Sequence, residues 1–169
     1  LASVRAGNVI GGGDWAKDRI VPDSIKSLSK NIAIEIRNPH ATRPWQHVLE
    51  PLSGYLLLGY KLFLQPKKYS GSWNFGPTSH SIKTVKELVE EIILSYGKGE
   101  LKVNVNPNAV HEASILHLNC DKSNAQLGWY PKWDFKKTIS NTVNWYIGLL
   151  EGKEAFQLTK NDIVEYINS

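Results

Sequence analysis

Two arginines, two histidines and a tryptophan lie within one short stretch of the chain, residues 36–48, between a predicted strand and a predicted helix. A guanidinium presents a fork of donors that matches phosphate oxygens, and it stays charged at every physiological pH. Arg37 and Arg43 are therefore candidates for anion recognition. The competing interpretation is a solvated loop that Trp45 anchors in the core, and composition alone favours it.

Three consecutive glycines, Gly11 to Gly13, follow a predicted strand. They free the backbone to turn or to approach a ligand closely, so this loop is predicted to be mobile or ligand-facing. The run matches neither G-x-G-x-x-G nor G-x-x-x-x-G-K-[ST], the two common phosphate-cradling signatures. A simple turn is therefore the default interpretation.

Metal and thiol chemistry find no support in the residue spacing. The five histidines are not at i, i+4 spacing, and the pair His111-Glu112 lacks the second histidine of a zincin helix. The single cysteine, Cys120, has no evident activating cation, so a small core hydrophobe is its predicted role. One cysteine also favours a reducing compartment. The sequence predicts no metal site and no cysteine nucleophile.

Helical and strand patterns alternate along the chain and must position these residues. The predicted helices run from Pro22 to about Lys30, over 50–63, from a capping box at Thr84 and Glu87, from Asp121 to Gly128, from Asp134, and over 159–167. The predicted strands are a buried one ending at 6–10, then 32–36, 73–77, 101–105 and 115–118, with a loop at 66–72. Four tryptophans in or beside these elements are predicted to be buried: Trp73, Trp129, Trp133 and Trp145.

Composition fits one globular α/β unit of 169 residues with a net charge of +4. The basic residues are scattered, which argues against a nucleic-acid tail, and no apolar run approaches the roughly 18 to 20 residues of a membrane span. The pattern indicates two parts, residues 1–77 and a smaller lobe at 78–169. Because the chain opens within a predicted strand, an upstream portion is expected.

Several segments, in order along nearly the whole chain, carry a family resemblance. They are residues 4–15, 18–23, 36–56, 73–77 and 126–129, of which 37–56 reads RNPHATRPWQHVLEPLSGYL. Together they closely resemble the CDP-glucose 4,6-dehydratases, which are extended short-chain dehydrogenase/reductase enzymes. The 37–56 stretch is specific within that superfamily.

The resemblance implies an α/β fold made of the last strands and helices of an NAD-binding Rossmann-like sheet plus a smaller α/β substrate-binding lobe. Residues 1–77 would form the carboxy-terminal part of the dinucleotide-binding domain, interleaved with substrate-binding segments, and 78–169 mainly the substrate lobe. The family's glycine-rich NAD turn and Tyr-x-x-x-Lys pair do not occur in this chain. No catalytic residue is therefore expected here, and NAD is expected to be bound mainly upstream.

The resemblance also implies site residues. Asn8 would border the nicotinamide and the sugar, while Arg19 and Arg43 would contact the substrate diphosphate. Relatives that use dTDP-glucose often carry a further arginine before the strand that leads to the Leu-Gly-Trp helix. This chain has none there, and His111 or Glu112 is the candidate substitute.

The implied activity is that of a lyase, which converts CDP-glucose to CDP-4-keto-6-deoxyglucose for deoxysugar and O-antigen lipopolysaccharide biosynthesis. Bound NAD would oxidise the C4 hydroxyl, water would leave from C5 and C6, and the hydride would return to C6. The resemblance implies a cytoplasmic homo-oligomer with no nucleic-acid or membrane partner, and it implies that this chain alone is inactive. Two alternatives remain open: another nucleotide-sugar dehydratase or epimerase, or a non-catalytic module that binds RNA or a protein through Arg37, Arg43 and exposed aromatics.

Overall fold

A computed structural model describes the chain over residues 1–104 and 117–169. Its strands are β1 (Ala2–Ala6), β2 (Asn8–Ile10), β3 (Ile34–Ile36), β4 (Thr42–His47), β5 (Gly71–Phe75), β6 (Ile82–Thr84) and β7 (Leu101–Val103). Its helices are α1 (Ile20–Ser29), α2 (Leu49–Leu64), α3 (Pro66–Tyr69), α4 (Val85–Tyr96), α5 (Asp121–Leu127), α6 (Phe135–Leu150) and α7 (Ala155–Asn168). The predicted α/β class is confirmed.

The strands within the described residues form three small sheets. β1 pairs with β5 and β3 pairs with β7, both in parallel. β4 lies between β2, which is parallel to it, and β6, which is antiparallel. Parallel pairs need long crossover connections, here supplied by helices such as α1 between the paired strands β2 and β4, and this arrangement is typical of α/β proteins.

Gly7 divides the predicted first strand into β1 and β2. Its N–H donates to the carbonyl of Phe75 in β5 at 3.3 Å, while a Cβ at this position would lie 2.6 Å from the carbonyl oxygen of Pro44 in β4. Only glycine lets the chain pass so closely from one sheet to the next. The predicted burial is wrong: Val4 is 40% and Val9 37% exposed, because no described element covers these side chains.

The stretch interpreted as a loop between a strand and a helix contains β4 instead. Four of its six residues are buried, including Trp45, Gln46 and His47. Arg and Pro residues conceal a strand pattern here, because strand propensity is overridden by pairing on both edges, with β2 and with β6. The predicted loop at 66–72 is also wrong in part, since α3 begins there with Pro66 at its first turn.

The helix ends confirm the strongest sequence signals. Thr84 Oγ1 accepts the N–H of Glu87 at 3.1 Å, and the Glu87 carboxylate accepts the N–H of Thr84 at 2.8 Å, so the capping box begins α4 as predicted. Asp134 caps α6 by accepting the N–H of Lys137 at 2.8 Å. Helix α2 spans the predicted 50–63 with one residue more at each end.

Helix α5 corrects one predicted cap. Cys120 occupies the cap position, and Asp121 is the first helical residue, whose N–H donates to the side-chain oxygen of Asn119 at 3.0 Å. Gly128 ends the helix in the left-handed conformation, as predicted. Cys120 is only half-buried rather than in the core, and partial burial raises the pKa of its thiol, which disfavours the thiolate.

The remaining element boundaries shift modestly. Helix α1 begins two residues before Pro22, and α7 begins at Ala155 rather than at 159. β3 and β7 are shorter than predicted. The second half of the predicted strand at 115–118 is irregular, while 115–116 and 105 lie outside the described residues.

Among residues 1–104 and 117–169, two apolar clusters stabilise the fold. The larger joins α1, β3 and Trp45 to α4 and α6, and the smaller joins α2 and β5 to α5 and Trp129. Each cluster therefore combines residues from before and after position 77, and the division at 77 stays a prediction. The predicted burial of Trp73, Trp129, Trp133 and Trp145 is confirmed.

Candidate functional site

A cavity of about 580 Å³ opens where β2, β4 and the start of α1 meet. Its lining includes the three site residues expected from the resemblance, Asn8, Arg19 and Arg43. The rest of the lining is Ala6, Gly7, Val9, Ile10, Gly11, Asp14, Asp18, Ile20, Val21, Pro22 and Trp45. The volume lies within the range usual for small-molecule sites. Residues that are 35 positions apart in the sequence thus line one cavity.

The pairing of β2 with β4 brings the strand residues to the cavity. Asn8 stands opposite Trp45 in the parallel register, and Arg43 precedes Trp45 by two residues and so shares its face of β4. Trp45 is fixed by its ring N–H, which donates to the carbonyl of Lys83 at 3.1 Å. One nitrogen of the Arg43 guanidinium donates to the carbonyl of Thr42 at 2.9 Å. Trp45 is buried in the core, as predicted, and it also lines the cavity.

The amino terminus of α1 forms the opposite part of the lining. Arg19 is the residue that precedes the helix, and no side chain in the described part of the chain caps the helix there. The first backbone N–H groups of a helix have no acceptor within it, so those of Ile20 and Val21, together with the helix dipole, favour an anion at this end. Asp18 has a left-handed φ of 63°, which turns the chain into the helix immediately before Arg19.

The glycine-rich turn is anchored on α6 rather than loose. A Cβ on Gly12 would lie 2.1 Å from the ring of Trp145, so the glycine lets the backbone lie flat against that indole. The hydroxyl of Tyr146 donates to the carbonyls of Asp14 at 2.6 Å and Gly11 at 3.3 Å. Burial raises the pKa of Tyr146 to about 12, so the phenol keeps its proton and remains a donor. The turn therefore forms a fixed wall of the cavity.

Two carboxylates in the lining were missed by the sequence reasoning. Asp14 lies 3.0 Å from the Arg19 guanidinium and forms an ion pair with it, and Asp18 lies at the turn before Arg19. The available signal was their position, since Asp14 directly follows the glycine run and Asp18 directly precedes the arginine. The two aspartates balance the formal charge of Arg19 and Arg43.

Other residues singled out from the sequence fall elsewhere. His111 and Glu112 lie outside the described residues, and their proposed role stays a prediction. Arg37 is exposed and does not line the cavity. Within residues 1–104 and 117–169, no three histidine, cysteine, aspartate or glutamate side chains cluster closely enough to hold a metal ion. In the same ranges, no helix has the length and apolar character needed to cross a membrane.

A buried carboxylate beyond the cavity ties the carboxy-terminal helix to the rest. Glu50 at the start of α2 accepts the backbone N–H groups of Lys132 and Trp133, the latter at 2.7 Å, and the hydroxyl of Tyr166 at 2.7 Å. Burial raises the pKa of Glu50, while these donors oppose that shift. Such a cluster serves structure rather than ligand binding, because its acceptor oxygens are already occupied.

His47, at the end of β4, is fully buried against Trp133, with ring centroids 4.8 Å apart. Its Nδ1 accepts the N–H of Leu49 at 3.4 Å, and its Nε2 has no hydrogen-bond partner among the described residues. Burial lowers the pKa of His47 to about 4, so the ring is neutral at physiological pH.

Comparison with known proteins tests the resemblance. The whole chain aligns with CDP-glucose 4,6-dehydratase of Salmonella typhimurium at 44% identity over 169 residues. The resemblance predicted from the sequence is confirmed. The chain spans about half of that relative, 47% of its length. No protein-family model matches the chain.

Solved structures show the same fold at low sequence identity. One is a dTDP-glucose 4,6-dehydratase from Bacillus anthracis in complex with NAD, with a TM-score of 0.72 and 21% sequence identity. The match covers 89% of this chain and 45% of the dehydratase chain. Another is a UDP-glucose 4-epimerase from Stenotrophomonas maltophila with bound NAD, with a TM-score of 0.71 and 15% sequence identity. The match covers 90% of this chain and 49% of the epimerase chain. The chain thus has the fold of about half of such a dehydratase or epimerase.

Proposed function

We propose that this chain is the nucleotide-sugar-binding half of a CDP-glucose 4,6-dehydratase, a lyase of deoxysugar and O-antigen lipopolysaccharide biosynthesis. One observation carries the proposal: Asn8, Arg19 and Arg43, which the resemblance assigns to the substrate and cofactor, line a single cavity. The 44% identity to the Salmonella dehydratase over the whole chain supports CDP-glucose over other nucleotide sugars.

The cavity offers the donors that a diphosphate needs. Two guanidinium groups and the amino terminus of α1 face the same space, and charge-assisted hydrogen bonds to phosphate are among the strong ones. Asn8 contributes a side chain that can both donate and accept, which suits sugar hydroxyls. In this proposal, the chain fixes the CDP-sugar so that its reacting carbons face the rest of the active site.

The glycine-rich turn matches neither of the two common phosphate-cradling signatures. Gly12 packs closely against the Trp145 ring, and the Gly11 and Asp14 carbonyls accept the Tyr146 hydroxyl, so contacts with α6 hold this turn in place. NAD would therefore be bound mainly by the half of the enzyme outside this chain, with Asn8 as the contact from this side. The catalytic Tyr-x-x-x-Lys pair would also belong to that half, and this chain alone would be inactive.

Saturation-transfer NMR with four ligands tests the proposal. CDP-glucose, dTDP-glucose, UDP-glucose and GDP-glucose are each added to the chain at equal concentration, and competition measures their rank. We expect CDP-glucose to bind and to displace the other three. Equal transfer to all four would indicate recognition of diphosphate and sugar without the base. Preference for dTDP- or UDP-glucose would indicate another dehydratase or epimerase of the same fold, and binding of none would contradict the proposal.

A further inference from the structure

The ion pair between Asp14 and Arg19 gives the cavity an internal counter-ion. The Asp14 carboxylate lies 3.0 Å from the Arg19 guanidinium, and both residues line the cavity. A site that binds a diphosphate gains from cations whose donors can turn to the ligand, yet here an aspartate already holds Arg19. The counter-ion must therefore affect how an anion binds.

Asp14 is held in place independently of Arg19. Its backbone carbonyl accepts the Tyr146 hydroxyl at 2.6 Å, and its Oδ1 accepts the N–H of Ala16 at 3.0 Å. Oδ2 is the oxygen that meets Arg19. Because the backbone and one carboxylate oxygen are fixed, the negative charge stays at this place when Arg19 moves. The Arg19 side chain, by contrast, is 64% exposed and has room to turn toward a ligand.

We propose that Asp14 sets the affinity of this site: it neutralises Arg19 in the empty cavity and competes with the substrate diphosphate for that guanidinium. The inference rests on the proposed function, because it requires a diphosphate ligand in the cavity. Binding then exchanges one carboxylate partner of Arg19 for phosphate oxygens and brings the phosphate near a fixed negative charge. Asp14 thereby weakens binding and favours release.

Calorimetric titration with CDP tests this inference on four forms of the chain: unchanged, Asp14→Asn, Arg19→Ala and the double variant. Asparagine keeps the acceptor for the Ala16 N–H, removes the charge, and puts an NH2 group in place of the oxygen that accepts from Arg19. We expect Asp14→Asn to bind CDP about three- to ten-fold more tightly. This is the scale expected when a partly exposed carboxylate no longer pairs with Arg19 and no longer repels the phosphate. In the Arg19→Ala background the same change should give a smaller gain, because no guanidinium is released.

Two controls separate this effect from others. Glu90→Gln removes the same charge from an exposed pair with Lys86 on α4, remote from the cavity lining, and should leave CDP binding unchanged. Cytidine, which has no phosphate, should not discriminate between the chain and Asp14→Asn. Thermal unfolding of each variant checks that the fold is intact.

The outcomes distinguish this inference from the proposed function. If the chain binds CDP and Arg19→Ala weakens binding, but Asp14→Asn binds equally or more weakly, Asp14 orients Arg19 instead of competing for it, and the inference is overturned while the function stands. If Asp14→Asn and Glu90→Gln tighten binding equally, the effect is one of net charge and the inference is again overturned. If the unchanged chain does not bind CDP at millimolar concentration, both fail.

Discussion

The hydroxyl of Tyr166 donates a 2.7 Å hydrogen bond to the carboxylate of Glu50, and this contact joins the last helix to the start of α2 across 116 residues. Both residues are buried. We expect Tyr166→Phe to lower the free energy of unfolding by about 1.5 to 3 kcal/mol, the range for a hydrogen bond to a charged group. Urea unfolding of the chain and of the variant measures this difference in free energy. Tyr60→Phe, on an exposed tyrosine of α2, is the matched control and should change stability little.

The buried His47 ring predicts a pH dependence of stability. The unfolded side chain takes up a proton near pH 6.5, whereas the folded one stays neutral down to about 4. The unfolded state thus binds more protons between these values, so the contribution of His47 to the free energy of unfolding falls as the pH drops from 6.5 to 4, by about 2 to 3 kcal/mol.

Asp162 contributes a pH dependence of stability of the opposite sign, so the two contributions must be measured separately. Burial beside Glu165 raises the pKa of Asp162 to about 6, so its contribution falls as the pH rises over the same range. The measurement is therefore the difference between the chain and His47→Phe, taken by urea unfolding at each half unit of pH. A difference that does not vary with pH would show that His47 does not titrate as stated.

The close contact between Gly12 and Trp145 predicts a steric effect. We expect Gly12→Ala to destabilise the fold by about 1 to 3 kcal/mol, because the added methyl would overlap the indole ring. Gly59→Ala is the opposite case: it lies within α2 with nothing within 4 Å of the new methyl, and it should stabilise by about 0.5 to 1 kcal/mol. Thermal unfolding of both variants gives the comparison. Equal changes in melting temperature for the two variants would contradict the predicted overlap between the Gly12→Ala methyl and Trp145.

Arg43 is predicted to hold a substrate phosphate. Arg43→Ala should weaken CDP-glucose binding by about 1.5 to 3 kcal/mol in the complete enzyme, and Arg43→Lys should restore only part of it, because an ammonium lacks the planar fork. Calorimetry provides the affinities. Arg37→Ala is the control, since Arg37 is exposed and does not line the cavity. Unchanged affinity in both Arg43 variants would remove this residue from the site.

The outer face of α2 predicts self-association of the chain. Leu56 and Phe63, seven residues apart on one face, are 77% and 84% exposed, and β1 pairs on one edge only within the described residues. We expect oligomers at high micromolar concentration by sedimentation velocity, and monomers after Leu56→Lys with Phe63→Lys. Hydrogen exchange should be faster in β1 than in α4. A monomeric chain with β1 as protected as α4 would overturn this prediction.

Most of the correct predictions came from short sequence signals such as helix caps. The capping box at Thr84 and the cap at Asp134 define helix starts within a few residues, so they are visible without tertiary structure. The strand around Arg43 was missed because its stability comes from two partner strands distant in sequence. Asp14 was missed for a similar reason: its role depends on an anchor, Tyr146, that lies 132 residues away. The family resemblance supplied the three cavity residues that spacing alone did not.

The strand pairings have a consequence for how the protein folds. Ala2 pairs with Gly71, Asn8 with Trp45, Ile34 with Leu101 and Thr42 with Thr84, so every described pairing closes a long loop and none is a hairpin. Loops of this length cost entropy before their contacts form, which slows folding. One wall of the cavity, the turn held by Tyr146, takes its final position only when α6 has docked. A nucleotide that binds the finished cavity would stabilise the folded state and retard its unfolding.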